Sequence, residues 1–119
     1  MKNINTLIFL SIFTVISAQA FAQTMQNNSW SVNQSLAGYS LDKNNGDRTM
    51  TIEIKFEKPF TKKPQIFLSV TQIDSDKNVN LRYNVEAVSV SRDGFTIKVN
   101  TWADSKIFSV SGYWLAYRD

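Results

Sequence analysis

Arg82, Trp102 and Asp104 are the side chains of this sequence with the most chemistry to offer. A guanidinium presents a planar fork of donors, a carboxylate accepts, and an indole offers an apolar ring face. A pyranose matches that set: its C–H face stacks on a ring, and its vicinal hydroxyls meet charged donors and acceptors. The plainer alternative is a surface ion pair between Arg82 and Asp104, with Trp102 covering a sheet edge and little stability at stake. Spacing leaves both open.

Other chemistries are easier to exclude. The 119 residues contain no Cys and no His. Disulfide frameworks, zinc centres, thiol nucleophiles and every Ser-His-Asp or Cys-His arrangement are therefore absent. Thirteen Lys and Arg face ten Asp and Glu, a formal charge of +3, too weak and too scattered for a nucleic-acid surface. Asp74-Ser75-Asp76-Lys77-Asn78 begins like a calcium loop. Val79, however, stands where a sharp-turn glycine is needed, and no acid occupies the twelfth position. Paired-carboxylate glycoside hydrolysis stays open on composition, yet no acid lies in an apolar run of the kind that prepares a catalytic acid. The expectation is a binding protein without metal or cofactor, and not an enzyme.

Residues 1–22 have the pattern of an export signal. Lys2 precedes the apolar run Leu7 to Ile16, and Ala20-Phe21-Ala22 supplies small residues at a cleavage spacing. The run is shorter than the roughly 20 residues a membrane span needs. The expected domain is therefore 23–119, exported to the extracellular space, or to the periplasm or surface of a bacterial cell. It is not expected to insert into a membrane once the signal is removed. Two glycosylation sequons follow, Asn27-Asn28-Ser29 and Asn33-Gln34-Ser35, relevant to a eukaryotic secretory route.

Beyond Ala22 the apolar pattern has period two, not 3.6. Met50, Ile52, Ile54 and Phe56 alternate with polar residues. Pro59 and Pro64 bracket a rigid loop whose tip carries Lys62-Lys63. Gln65 to Thr71 is apolar on both sides, which predicts a central strand. Asp74 to Val79 is turn-like. Trp30 to Tyr39, Arg82 to Val90, Phe95 to Trp102 and Ile107 to Tyr117 complete about six strands, and residues 42–47 form a loop. The prediction is an all-β, six-stranded antiparallel β-sandwich.

The hairpin around Gly94 predicts how the chemical residues meet. A three-residue loop, Arg92-Asp93-Gly94, closed by a bulge at a positive-φ glycine, pairs Ser91 with Phe95. One face then collects Tyr83, Val85, Ala87, Phe95, Ile97 and Val99. The other places Glu86 beside Lys98, Asn84 opposite Trp102 and Arg82 opposite Asp104. In the last strand Ile107, Tyr113, Leu115 and Tyr117 fall on one side, and Phe108, Val110 and Trp114 on the other. That surplus apolar face predicts contact with another protomer.

From Arg48 to Tyr117 the chain resembles the H-type lectin domain, the type found in snail agglutinins and at the C-terminus of discoidins. The resemblance is carried in order by Ile54-Lys55-Phe56, Pro59-Phe60, Lys63-Pro64, Leu68-Ser69-Val70-Thr71-Gln72-Ile73-Asp74 and Asn80-Leu81-Arg82. It continues through Val88-Ser89-Val90, Gly94-Phe95, Thr101-Trp102 and Trp114-Leu115-Ala116. It implies a homotrimer, which pairs into hexamers in some relatives. Galactose or N-acetylgalactosamine glycans of cell surfaces would bind between protomers, without catalysis or metal, as in cell adhesion. Arg82 matches the family arginine that bonds sugar hydroxyls, and Trp102 the binding-loop tryptophan. Ala103 and Phe108 occupy two further wall positions, where they lack a polar or aromatic group and a hydroxyl respectively. The acid expected from the neighbouring protomer falls on Asn45, with Asp47 two residues later and Asp42 three earlier. These departures keep alive a rival reading, an exported structural or protein-binding module that has lost sugar recognition.

Overall fold

The computed structural model describes residues 24–119; the export-signal segment lies outside them. Among the described residues every regular element is a β-strand: β1 (Thr24–Asn33), β2 (Arg48–Lys55), β3 (Gln65–Leu68), β4 (Gln72–Ser75), β5 (Asn84–Val88), β6 (Gly94–Thr101) and β7 (Ile107–Arg118). They form two antiparallel sheets. In one, β7 lies between β1 and the tandem pair β3 and β4; the other has the order β2-β6-β5. The core lies between them, built on Val32, Leu41, Phe60, Ile97, Val99, Ile107 and Val110. At one end of the sandwich Phe56 packs edge-on against Phe60 at 4.9 Å, and Phe95 against Trp114 at 5.5 Å. Such ring pairs add about 0.5–1.5 kcal/mol each beyond area burial.

The structure has seven strands where the sequence predicts six: the strand predicted over Gln65–Thr71 ends at Leu68, and a further strand, β4, begins at Gln72, beyond its predicted end. Ser69 and Thr71 still donate backbone hydrogen bonds to Tyr113 and Ser111 of β7, so β3 and β4 are one path with an irregular middle. There the backbone presses on Gly112, where a Cβ would sit 1.8 Å from the Ser69 carbonyl oxygen. This path is not central. It flanks β7, and its double apolar character arises because Phe67 faces outward, 54% exposed. Asp74 and Ser75, expected in a turn, belong to β4. The first strand ends earlier than expected, at Asn33, whose side-chain oxygen accepts from the Ser35 amide at 2.9 Å and turns the chain.

The hairpin register differs from the predicted one by two residues. Asn84 pairs with Asn100, Glu86 with Lys98 and Val88 with Thr96. Trp102 and Arg82 lie beyond the ladder, and Tyr83 is exposed rather than in the core. The connection runs from Ser89 to Asp93, and its positive φ falls at Ser89 (53°), not at Gly94. Gly94 answers a different constraint, since a Cβ there would lie 2.1 Å from the Ile54 carbonyl oxygen. A shift of two preserves the faces, so Phe95, Ile97 and Val99 are buried as expected.

In β7 the alternation breaks at Phe108. Ser75 pairs with Ile107 and Asp74 with Ser109, leaving Phe108 as the extra residue of a bulge. Ile107 and Val110 therefore both point into the core, and Ile107 does not join the outer face. That face keeps Tyr113, 59% exposed, beside Phe67 and the half-buried Leu115. The outer face of the other sheet is polar, with Thr96 donating to Glu53 at 2.9 Å.

Candidate functional site

Three loops meet at the end of the sandwich away from the Phe56 aromatic cluster: residues 34–47, 76–83 and 102–106. What fixes them is Arg48, the first residue of β2 and only 7% exposed. Its Nε donates to the Gly46 carbonyl at 2.9 Å, and its Nη2 to Ala103 at 2.9 Å. Nη1 reaches the carbonyls of Ser105 at 2.7 Å, Lys43 at 3.0 Å and Leu41 at 3.4 Å. Every partner is a backbone carbonyl, so the guanidinium replaces a missing ladder between two loops. The Ala103 carbonyl also accepts from the Gly46 amide at 2.9 Å. Both loops carry left-handed non-glycine residues, Asn44 (φ 58°) and Ala103 (φ 56°), which the surrounding bonds must hold. The sequence analysis missed Arg48. A lone arginine opening a strand carries no motif, and only a charged residue at an inward position hints at it.

Ser105 joins the third loop. Fully buried, it donates through Oγ to the Asn80 carbonyl at 2.5 Å and accepts from the Arg82 amide at 3.0 Å. Thr101 Oγ1 donates to the Arg82 carbonyl at 2.6 Å. The backbone of Arg82 is thus held from both sides, and its side chain extends along the rim. There Nη1 donates to Asp104 Oδ1 at 2.6 Å and more weakly to Ser105 Oγ at 3.4 Å. Among the described residues Nη2 and Nε of Arg82 have no hydrogen-bond partner, and the Asp104 carboxylate also takes a bond from its own backbone amide. The bond from Arg82 holds the Asp104 carboxyl below its ordinary range. Trp102, 41% exposed, begins the same loop. The expected meeting of Arg82, Trp102 and Asp104 in one region therefore occurs, through loops rather than through the predicted register.

The remaining predicted residues divide. Ala103 is a backbone hub, exposed and without a side-chain bond. Asn45 is exposed on the first loop, with its Oδ1 accepting from Lys106 Nζ at 3.0 Å; the same ammonium also bonds the Asn44 carbonyl. Asp47 is exposed beside Arg48. Phe108 is half-buried in its bulge. Among the described residues the side-chain partners of Arg82 are Asp104 and Ser105, not Asp47 or Phe108. Nearby, Tyr39 donates its hydroxyl to the Ile107 carbonyl at 2.6 Å. Burial, aided by the Asp42 carboxylate, pushes that phenol up to about 12.

The incipient calcium motif is structurally accounted for: Asp76 Oδ1 accepts from the Asn78 amide at 2.8 Å and closes its own turn. Among the described residues no cluster of three acidic groups is placed to hold a metal ion. Among the described residues, hollows also lie away from this rim. Met25, Gln26, Lys55, Glu57 and Trp114 help to line one, and Phe67, Tyr113 and Leu115 another.

Comparison with known proteins places this geometry. Two structures of discoidin II from Dictyostelium discoideum superpose with TM-scores of 0.73 and 0.71, each at 19% identity over 82% of this chain. The chain spans 37% and 38% of their lengths. A protein of Fuscovulum blasticum described as ATP synthase subunits region ORF 7 is 33% identical over 72 residues, 60% of this chain and 63% of that relative. Residues 51–117, more than half of the sequence, match the model of the H-type lectin domain. The chain belongs to the H-type lectin domain family, whose general role is carbohydrate binding.

Proposed function

We propose that the chain is an exported lectin that binds galactose- or N-acetylgalactosamine-type glycans at the rim formed by Arg82, Trp102 and Asp104. One observation carries the reading. Arg82 is anchored through its backbone and Nη1; Nη2 and Nε have no hydrogen-bond partner among the described residues, and the exposed Trp102 opens the loop that carries Asp104. A guanidinium serving only an ion pair would spend its fork on the carboxylate; half of this one remains for a ligand. The apolar outer face around Phe67 and Tyr113 favours assembly into a trimer, with its sites between protomers. Single shallow sites are weak, and multivalency supplies avidity on a glycan-coated surface.

A second reading has its own support. Asn45 stands at the position of the expected acid and is engaged by Lys106, as suits an exported module that has lost sugar recognition. A glycan array with residues 23–119, paired with light scattering, tests the proposal. Binding confined to galactose-type glycans by a trimer supports it. A monomer that binds no glycan supports the rival.

A further inference from the structure

We propose that Asp104 is the carboxylate that accepts hydrogen bonds from the ligand's hydroxyls, so that this site draws its acid from the same chain as Arg82. The inference rests on the carbohydrate-binding reading above and assigns a role within it.

Many acceptors at this end of the sandwich are already engaged. The carbonyls of Leu41, Lys43, Gly46, Ala103 and Ser105 serve Arg48. Ser105 Oγ donates to Asn80 and accepts from Arg82. The Asn45 side-chain oxygen and the Asn44 carbonyl both serve Lys106. Among the carboxylates, Asp42 Oδ1 is buried without a partner and Asp47 is exposed on the first loop, but the one that Arg82 bonds among the described residues is Asp104. Asp104 differs: its carboxylate takes the bond from Arg82 at Oδ1 and one from its own backbone amide, yet its side chain is 56% exposed and two carboxylate oxygens keep lone pairs to spare. The 2.6 Å bond between Arg82 Nη1 and Asp104 Oδ1 sets the open donor edge of Arg82 next to an exposed carboxylate with lone pairs to spare. A vicinal diol matches that order: one hydroxyl accepts from Arg82 Nη2 while its neighbour donates to the Asp104 carboxylate. Against Asn45 a carboxylate is the stronger acceptor, since bonds to an ionised group exceed neutral ones, and against Asp42 and Asp47 only Asp104 pairs with Arg82. The hydrogen bond from Arg82 lowers the Asp104 carboxyl's pKa and so favours the ionised acceptor.

The test pairs a protein change with a ligand change. Asp104→Asn keeps an oxygen for Arg82 and replaces the other acceptor with a donor. Calorimetric titration uses methyl galactoside, methyl N-acetylgalactosaminide and their monodeoxy analogues, on wild type and variant of unchanged melting temperature. The expected result is a tenfold or greater loss of affinity in Asp104→Asn. In addition, one monodeoxy analogue should weaken wild-type binding tenfold and leave the variant's residual binding unchanged, the coupling expected of groups in direct contact. A carboxylate that merely orders Arg82 would lower all analogues by one common factor, and that pattern overturns the assignment. So does an Asp104→Asn variant binding within threefold of wild type, an outcome that leaves the lectin reading standing. A wild type that ignores both glycosides overturns the galactoside reading and this assignment with it.

Discussion

Two arginines sit within the same end of the sandwich and are used in opposite ways. Arg48 is buried, bonded to five carbonyls across two loops, and meets no carboxylate. Arg82 is half-exposed, its backbone is clamped by Thr101 and Ser105, and among the described residues its fork is engaged at one nitrogen only. A buried guanidinium is tolerable only when its donors are satisfied, so the Arg48 region is structural. An exposed fork with open donors contributes little to folding and remains available to a ligand. Residue type does not separate structure from recognition here; completeness of hydrogen bonding does.

The comparison can be broken most forcefully at Arg48. Arg48→Ala strips the partner from carbonyls of both loops, with an expected loss on the order of 3 kcal/mol, read as a lower urea midpoint. Stability within about 0.5 kcal/mol of wild type would mean that water replaces the guanidinium without penalty, contrary to this account. Arg82→Ala should do the reverse. It should leave the melting temperature close to wild type and weaken galactoside binding by about ten- to a hundredfold. Arg82→Lys should fail almost as badly, because a point charge does not replace a planar fork. A thermal loss without a binding loss would make Arg82 a second structural arginine and erase the contrast. At the stacking position Trp102→Ala should abolish most binding, Trp102→Phe should keep part of it, and neither should destabilise the fold. The smallest effect is expected from pH. The lowered Asp104 carboxyl gives stability that is present above its unfolded pKa and is lost as pH falls through the folded value. Tyr39, raised from 10.0 to about 12, gives stability present below about 10 and lost as pH rises toward about 12. Binding and melting temperature should both be flat from pH 6 to about 8, as titrations at three pH values will test.

Much of the sandwich is legible in the sequence because one buried face imposes period two. The strands β2 and β6 and the burial of Phe95, Ile97 and Val99 follow from alternation alone. What alternation cannot register is an irregularity on the partner strand. The bulge at Phe108 turns Ile107 inward, and the irregular Ser69–Thr71 stretch, close against Gly112, ends the predicted strand early before β4 begins at Gln72. Gly94 misleads for a related reason: the glycine is demanded by the approach of Ile54, a long-range contact, and not by the local turn. The site is half legible. Arg82, Trp102 and Asp104 announce themselves by type and spacing, and a two-residue register error leaves them on the same side of the hairpin. Arg48 stays silent, since its partners are backbone carbonyls that any sequence would offer. Asn45 is visible, but its capture by Lys106 depends on the conformation of the loop.

The central claim is that sugar binds at the Arg82–Trp102 rim, and the three tryptophans of the chain make it directly measurable. Trp30 and Trp114 are core residues, 4% and 6% exposed, whereas Trp102 is 41% exposed. Titrating methyl galactoside into the nitrogen-15-labelled protein follows the three indole N–H signals separately. The account predicts that the Trp102 signal moves saturably while those of Trp30 and Trp114 stay in place. A shift at Trp114, which borders a hollow away from that rim, with Trp102 unmoved would contradict it.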